Sequence, residues 1–431
     1  MANKQSRREF LQSSALAAAG IALVGSPALA RAKKRSPNEK LNIACIGVGN
    51  QGHFSVENVK DENVVALCDV DDTILANVAK EFPRAATYND FRKLLERKDI
   101  DAVTIGTPDH THAIATMWAL KSGRHVYCEK PLTHTIAECR LVSETAKRHK
   151  RVTQMGIQIH AGDNYRRVVE IVKSGAIGKV SLVHVWVNRV WDGDAMPTEF
   201  PPVPASMHWD LWLGPAAERP YHPVWGPVNW RGWWDFGGGA YGDMACHHMD
   251  LSHWALDLRA PLTVEAEGPA VDAQRCPTWT SAKYEYPARG ENPPVTLNWY
   301  NGPTRPKAFD EAGSPKDWGN TLFVGDKGML LADYGQWKLL PEKDFEGFEP
   351  PKPTIPNSIG HHKEWIEACK TGGPTTCNFD YSGALTEAVL LGNVAYRTGR
   401  KLEWDPKKLQ CKGFPEAEAF LRTKPRKGWE F

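Results

Sequence analysis

Between residues 41 and 156 the chain alternates short runs that are apolar throughout with longer stretches whose apolar residues recur every three or four positions. The runs Leu41–Gly47, Val64–Asp69, Ala102–Gly106, His125–Cys128 and Val152–Gly156 predict strands. Each is apolar on both faces, as parallel strands are when helices cover both sides of a sheet. The stretches Ile74–Phe82, Asp90–Glu96, His112–Lys121 and Ile136–Lys150 predict helices between them. Strand–helix alternation of this length predicts an α/β domain over 40–156 built on a doubly wound parallel sheet.

Beyond residue 157 the period shortens. Val183, Val185 and Val187 alternate with His184, Trp186 and Asn188, the pattern of a strand with one exposed face. Thr263–Glu267 and Val295–Tyr300 are similar, as are Thr321–Val324 and Met329–Ala332, joined by the turn 325–328. They predict a second α/β domain, over 157–405, with an open and mainly antiparallel sheet backed by helices. Two of these helices, Gly360–Cys369 and Tyr381–Arg397, end at Gly372 and Gly399. Residues 406–431 form a tail. Between Met196 and Gly239 the pattern breaks down into eight prolines up to Pro227, and seven of the 17 tryptophans fall between Trp191 and Trp234. That composition predicts a long shaped loop.

With 42% hydrophobic and 24% charged residues among 431, the chain has the makeup of a soluble enzyme of two domains plus an appendage. The appendage is at the N-terminus. Ser6-Arg7-Arg8-Glu9-Phe10-Leu11 is a twin-arginine pattern, Ala15–Val24 is apolar, and Ala28-Leu29-Ala30 is a small-residue cleavage site. The apolar run is too short for a membrane span, which needs about 20 residues. Residues 1–30 are therefore expected to be a signal peptide taken by the twin-arginine export machinery, followed by a linker over 31–39. The protein would then be periplasmic or extracellular, with no membrane anchor. Removing 1–30 takes away Lys4, Arg7 and Arg8 against Glu9, so the formal charge of +2 falls to zero. A neutral chain has nothing to attract nucleic acid or an anionic membrane. The nine cysteines include no C-x-x-C pair, and Cys45, Cys68 and Cys128 fall inside predicted strands. Buried free thiols are expected.

Three constellations carry candidate chemistry. Gly47-Val48-Gly49-Asn50-Gln51-Gly52 ends the first strand and opens a helix, and Asp69 closes the next strand 22 residues after Gly47. This is a dinucleotide fingerprint. The glycines allow a tight turn and close approach of backbone to pyrophosphate, and the carboxylate accepts from a ribose hydroxyl. Asp69, with Asp71 and Asp72 behind it, repels a 2′-phosphate, so NAD is expected rather than NADP. Glu129-Lys130-Pro131 and Thr107-Pro108-Asp109-His110-Thr111-His112 follow the ends of two other strands, where a doubly wound sheet has its cofactor crevice. A lysine there can steady a developing alkoxide. Third, Gly237–Gly239 leads into a helix on which Asp243 and His247 are four apart, a spacing that allows a carboxylate–imidazole pair and so a base for a hydroxyl proton. The one-face set of His and Asp residues there is too sparse for a closed zinc site, so no metal is expected.

In this order the motifs resemble the Gfo/Idh/MocA family of glucose–fructose oxidoreductase and inositol dehydrogenase, over most of residues 40–405. The resemblance implies a Rossmann domain, a second domain whose open sheet often mediates homo-oligomers, and a sugar or polyol substrate. It implies that Lys130 orients and polarises the reacting hydroxyl and that His247 is the acid/base with Asp243 as its partner. Gly47, Gly49, Asn50, Gln51, Gly52, Asp69, Thr107, Pro108, His112, Glu129 and Lys130 would hold the cofactor. The sequence departs from the family after the last Rossmann strand. Many members have arginine near the substrate there, whereas Gln158 and His160 stand in this chain, and these two with Trp233 and Trp234 are candidate substrate contacts.

Export adds a constraint, because free NAD is scarce outside the cytosol. A tightly held cofactor, recycled in place, is therefore expected. Two cycles satisfy this: coupled oxidation and reduction of two sugars, or transient oxidation of a ring hydroxyl that allows glycoside elimination. A non-catalytic sugar-binding protein is the third reading.

Overall fold

The computed structural model describes residues 39–430 apart from 192, 194, 317 and 318; the predicted signal peptide and nearly all of the linker lie outside the described residues. The first sheet is made of β1 (Asn42–Ile46), β2 (Asn63–Cys68), β3 (Ala86–Tyr88), β4 (Ala102–Ile105), β5 (His125–Glu129) and β6 (Thr153–Gly156). Its order is β3-β2-β1-β4-β5-β6 and every pairing is parallel. The expected strands are present. Tyr88 and its neighbours add a three-residue edge strand that is too short and too polar to show as an apolar run.

Helices α1 (Gln51–Val59), α2 (Asp72–Glu81), α4 (Asp109–Lys121) and α5 (Ile136–His149) cross between the strands, with α3 (Phe91–Leu94) a single turn. A capping box on Thr135 and Glu138 starts α5. The turn between β1 and α1 has room only for glycine. Gly47 has φ +74°, and a Cβ there would lie 2.7 Å from the Thr107 nitrogen; a Cβ on Gly52 would lie 1.9 Å from the Gly47 oxygen.

The second sheet continues the chain through α6 (Asp163–Lys173), β7 (Val180–Val187), α7 (Trp209–Leu213), α8 (Gly239–Leu256), β8 (Thr263–Glu267), β9 (Thr280–Tyr286), β10 (Val295–Asn301), α9 (Lys307–Glu311), β11 (Thr321–Gly325), β12 (Met329–Ala332) and β13 (Trp337–Leu340). It ends with α10 (His361–Thr371), α11 (Phe379–Thr398), β14 (Leu402–Asp405) and β15 (Gln410–Cys411). The nine strands run β13-β12-β11-β7-β10-β9-β8-β14-β15, antiparallel except for β7 against β10. Val183, Val185, Leu297 and Trp299 point from these strands into the core under α8 and α11.

Of the helices after β13, α11 stays with that sheet at β8 and β9, whereas α10 leaves it. Trp365 and Ile366 of α10 pack with Val56 and Tyr127 on the first sheet, so the C-terminal part of the chain completes the N-terminal layer. The nine cysteines are unpaired and eight are buried.

Candidate functional site

A cavity of about 510 Å³ runs along the carboxyl ends of β1, β2, β4 and β5. The glycine turn forms its floor, with Gly47, Gly49, Asn50 and Gln51 on the wall. Asp69 closes β2 with one oxygen on the Val48 N–H (2.9 Å) and the other on the Asp71 N–H (3.0 Å), so it sets the turn and faces the cavity together. Burial pushes the Asp69 carboxyl up against these hydrogen bonds.

Thr107, Pro108, His112, Glu129 and Lys130 line the same cavity. The buried Thr107 hydroxyl has no hydrogen-bond partner in the structure, as suits a group meant for a ligand. Glu129 is buried and is held by Ser55 Oγ (3.0 Å) and Gln158 Nε2 (3.0 Å), with desolvation pushing its carboxyl up. Gln158 also donates to the Tyr127 hydroxyl. The glycine turn, the acid at β2 and the orphan hydroxyl fit a dinucleotide. Among the described residues the only arginine on the wall is Arg231, beside Lys130 rather than beside Asp69, which leaves the ribose end acidic.

Both ring nitrogens of His112 lie against carbonyl oxygens, Pro131 at 2.7 Å and Thr107 at 2.8 Å. Burial lowers its pKa to about 4, so the ring is neutral and donates to one of the two carbonyls, on the cavity wall where the sequence placed it.

Lys130 reaches across to α8, where its ammonium donates to Asp243 Oδ1. The same carboxylate accepts from Arg231 Nε (3.2 Å) and from the Trp191 indole (2.6 Å). Burial would push Asp243 up, but Lys130 and Arg231 outweigh it and hold the carboxyl well below the usual range. The expected Asp243–His247 pair is not formed, because Lys130 and Arg231 claim Oδ1 of the carboxylate and the Trp191 indole claims Oδ2. His247 lies one turn further along α8. Its pKa is well below that of an ordinary imidazole, first through burial and then through the Lys130 charge, with Asp243 opposing more weakly. Lys130 and His247 thus share one electrostatic neighbourhood, with His247 a neutral imidazole.

Three other expectations fail. Trp233 is fully buried among Trp225, Trp230 and Phe236, and Trp234 packs on Cys276 and Tyr396 with its indole donating to the Asp272 carbonyl. Both are core residues. His160 is also buried, with Nδ1 on Asp250 (2.9 Å) and its ring stacked on Trp254 at 4.0 Å. Side chains this enclosed do not face a substrate.

The tryptophan-rich segment instead roofs the cavity with Met207, Trp209, Trp212, Tyr221, Trp225 and Trp230. It is fastened along the crevice. Asp72 N donates to Ser206 O (2.8 Å) and His208 N to Val70 O (2.9 Å) at the β2 end. His110 Nε2 meets Trp212 O at 3.0 Å in the middle, and Arg231 meets Asp243 at the far end. The tail braces it, through Arg426 on Asp210 and Gly214 and through Trp429 against Phe91. The density of tryptophan marked this segment in the sequence. Which rings faced the cavity was not legible, because without a regular period no face can be assigned.

Among known proteins, residues 41–157 match the NAD-binding Rossmann domain of the Gfo/Idh/MocA oxidoreductase family, and residues 164–293 match its C-terminal α/β domain. Inositol 2-dehydrogenase of Salmonella typhimurium is 34% identical over 162 residues, which is 37% of this chain and 47% of that protein. The α-N-acetylgalactosaminidase of Shewanella oneidensis is 29% identical over 201 residues, 40% of this chain and 44% of the relative. The aligned part thus spans about half the length of these relatives. The WlbA dehydrogenase from Bordetella pertussis, solved with NADH and UDP-GlcNAcA, shares the fold with a TM-score of 0.61 at 16% identity, covering 85% of this chain and 99% of that one. Aldose–aldose oxidoreductase from Caulobacter crescentus gives 0.57 at 18% identity, over 85% and 100%.

Proposed function

Because the chain belongs to the Gfo/Idh/MocA oxidoreductase family, we propose that it oxidises a hydroxyl of a sugar or polyol with NAD held under the aromatic roof. The observation that carries this reading is the continuity of one cavity from the glycine turn to Lys130, which joins a dinucleotide cradle to a candidate proton-handling site. A bound nicotinamide would take hydride from the substrate carbon. The chain's own residues manage the oxygen and its proton. His247 accepts the hydroxyl proton at a ring nitrogen, and being held neutral it is ready to do so at neutral pH. Lys130, anchored on Asp243, donates to the same oxygen and stabilises the charge that develops there. Asp243 fixes Lys130 in place and raises the basicity of His247 only weakly.

The roof supports a second part of the reading, that the cofactor is retained and recycled. A dinucleotide under a segment fastened at both ends and in the middle leaves only if that segment lifts. This fits export through the twin-arginine route with cofactor loaded in the cytosol, and a homo-oligomer formed on the open sheet. Protein recovered from the periplasmic fraction and then denatured should release about one dinucleotide per chain. Recovery from the cytosol alone contradicts export, and empty protein that needs millimolar NAD (an affinity of only about 4 kcal/mol) contradicts retention.

The kinship to a glycosidase favours one alternative cycle, in which oxidation of a ring hydroxyl acidifies the adjacent C–H, the aglycone leaves by elimination, and water addition and reduction restore the sugar. An aryl glycoside would then release aglycone with no net reduced cofactor. Inert glycosides leave the simple dehydrogenase.

A further inference from the structure

The guanidinium of Arg231 is anchored on three sides and open on a fourth. Its Nε donates to Asp243 Oδ1 at 3.2 Å, the Trp230 ring lies 4.2 Å from its Cζ, and the Trp191 ring lies 5.5 Å away. Nη1 meets only the Val228 carbonyl, at 3.5 Å, and Nη2 has no partner among the described residues. The side chain lines the cavity beside Lys130 and Asp109. Among the described residues, Lys130 and Arg231 share the carboxylate of Asp243, and the neighbouring Glu129 is buried with its carboxyl pushed up by desolvation, so two cations face one paired carboxylate. Asp109 does not make up the difference at neutral pH, since burial pushes its carboxyl up to about 8 against the pull of Arg231 and Lys130.

We propose that Arg231 receives a carboxylate carried by the substrate, which makes this a site for acidic sugars such as uronic acids in preference to neutral ones. The proposal rests on the sugar oxidoreductase reading and names its substrate class. A planar guanidinium held by Asp243 at Nε and by the Trp230 ring 4.2 Å from its Cζ is a preorganised fork for an oxyanion, and the bonds it makes are charge-assisted. The cofactor's phosphates offer the same chemistry, but the start of α1 at the glycine turn already provides for them. Arg231 instead shares Asp243 Oδ1 with Lys130, at the reacting end. An oxidised nicotinamide adds one more positive charge there.

Calorimetry on the full chain loaded with NAD tests this, titrating D-glucuronate and D-galacturonate against D-glucose and D-galactose at low ionic strength. One of the acids should bind at least ~10-fold tighter than its neutral counterpart, the scale of a charge-assisted hydrogen bond. In Arg231→Gln that ratio should fall to near one, whereas Arg231→Lys, which keeps the charge and loses the fork, should keep part of it. The ratio is the readout because a merely structural role for Arg231 would weaken both sugars alike. The proposal is overturned by equal binding of acid and neutral sugars in the wild type, by failure of both acids to bind, or by an unchanged ratio in Arg231→Gln. Loss of bound dinucleotide from that variant with the sugar ratio intact also overturns it and assigns the fork to a cofactor phosphate. Should Arg231→Gln fail to fold, the partial ratio in Arg231→Lys decides. Wild type that prefers acids yet oxidises no sugar keeps the Arg231 site and removes the oxidoreductase reading.

Discussion

Lys130→Ala is expected to lower kcat by about 10²–10⁴-fold, the range for loss of a positioned proton donor. The substitution removes the ammonium that would meet the reacting oxygen, and it also removes a counter-charge from the buried Asp243 carboxylate. Breaking a buried ion pair costs about 3–5 kcal/mol when the remaining charge is stranded. Here the cost should fall below that range, since Arg231 and the Trp191 indole still hold Asp243. The variant should therefore fold and keep its dinucleotide while losing turnover. Near-UV circular dichroism and cofactor content on the same preparation separate the two effects. Turnover at the wild-type rate by folded, loaded variant removes Lys130 from the chemistry.

Acid should unfold the protein unusually early. Six buried imidazoles have pKa values that burial lowers to about 3 (His110, His362) or about 4 (His112, His248, His253, His361). In an unfolded chain each titrates near ~6.5. Below that pH the unfolded chain takes up protons that the folded chain refuses, so stability falls as pH falls. Four buried carboxyls act the other way, Asp69 and Glu129 among them. Burial raises Glu138 to about 7 and Asp109 to about 8, and each holds a proton in the fold that an unfolded carboxylate lacks above about pH 4. Six imidazoles against four carboxyls leave a surplus of about two protons on the unfolded side, or about 3 kcal/mol lost per pH unit below about 6. Domains have only about 5–15 kcal/mol to lose. Unfolding is therefore expected between about pH 6 and pH 4, with the urea midpoint dropping steeply on the way. A midpoint that stays level from pH 7 to pH 5 contradicts the burial of these imidazoles as neutral groups.

Much of the first sheet was legible because parallel strands write themselves as apolar runs and because Gly47 and Gly52 have no steric alternative at their turn. The second sheet was legible only where alternation was clean, as at Val183–Val187. Its later strands carry too few residues for a period to emerge, Trp337–Leu340 and Gln410–Cys411 among them. The site shows the limit more sharply. A spacing of four on a helix tells which residues share a face, and Asp243 and His247 do share one. It cannot tell what other elements deliver to that face, and Lys130, Arg231 and Trp191 arrive from β5 and from both ends of the roof to take the carboxylate. The same blindness placed His160 at the substrate. Its partner Asp250 is 90 residues away in sequence, a pairing that only the fold creates.

The roof also ties the cofactor to the chemistry. Trp191 and Arg231 flank the aromatic segment in sequence, and both end on Asp243, which holds Lys130. A dinucleotide bound beneath the segment would thus share one arrangement of contacts with Lys130.

The claim at the centre is that the chain carries its own NAD and reduces it with a sugar hydroxyl at Lys130 and His247. Rapid mixing of the protein, as purified and with no added cofactor, against a panel of sugars and sugar acids tests it in one turnover. Reduced-nicotinamide fluorescence should rise with at least one of them to about one equivalent per chain, and the rise should be slowed at least ~10²-fold in Lys130→Ala. A flat trace with every sugar from protein known to contain NAD, or an equally fast rise in Lys130→Ala, contradicts the account.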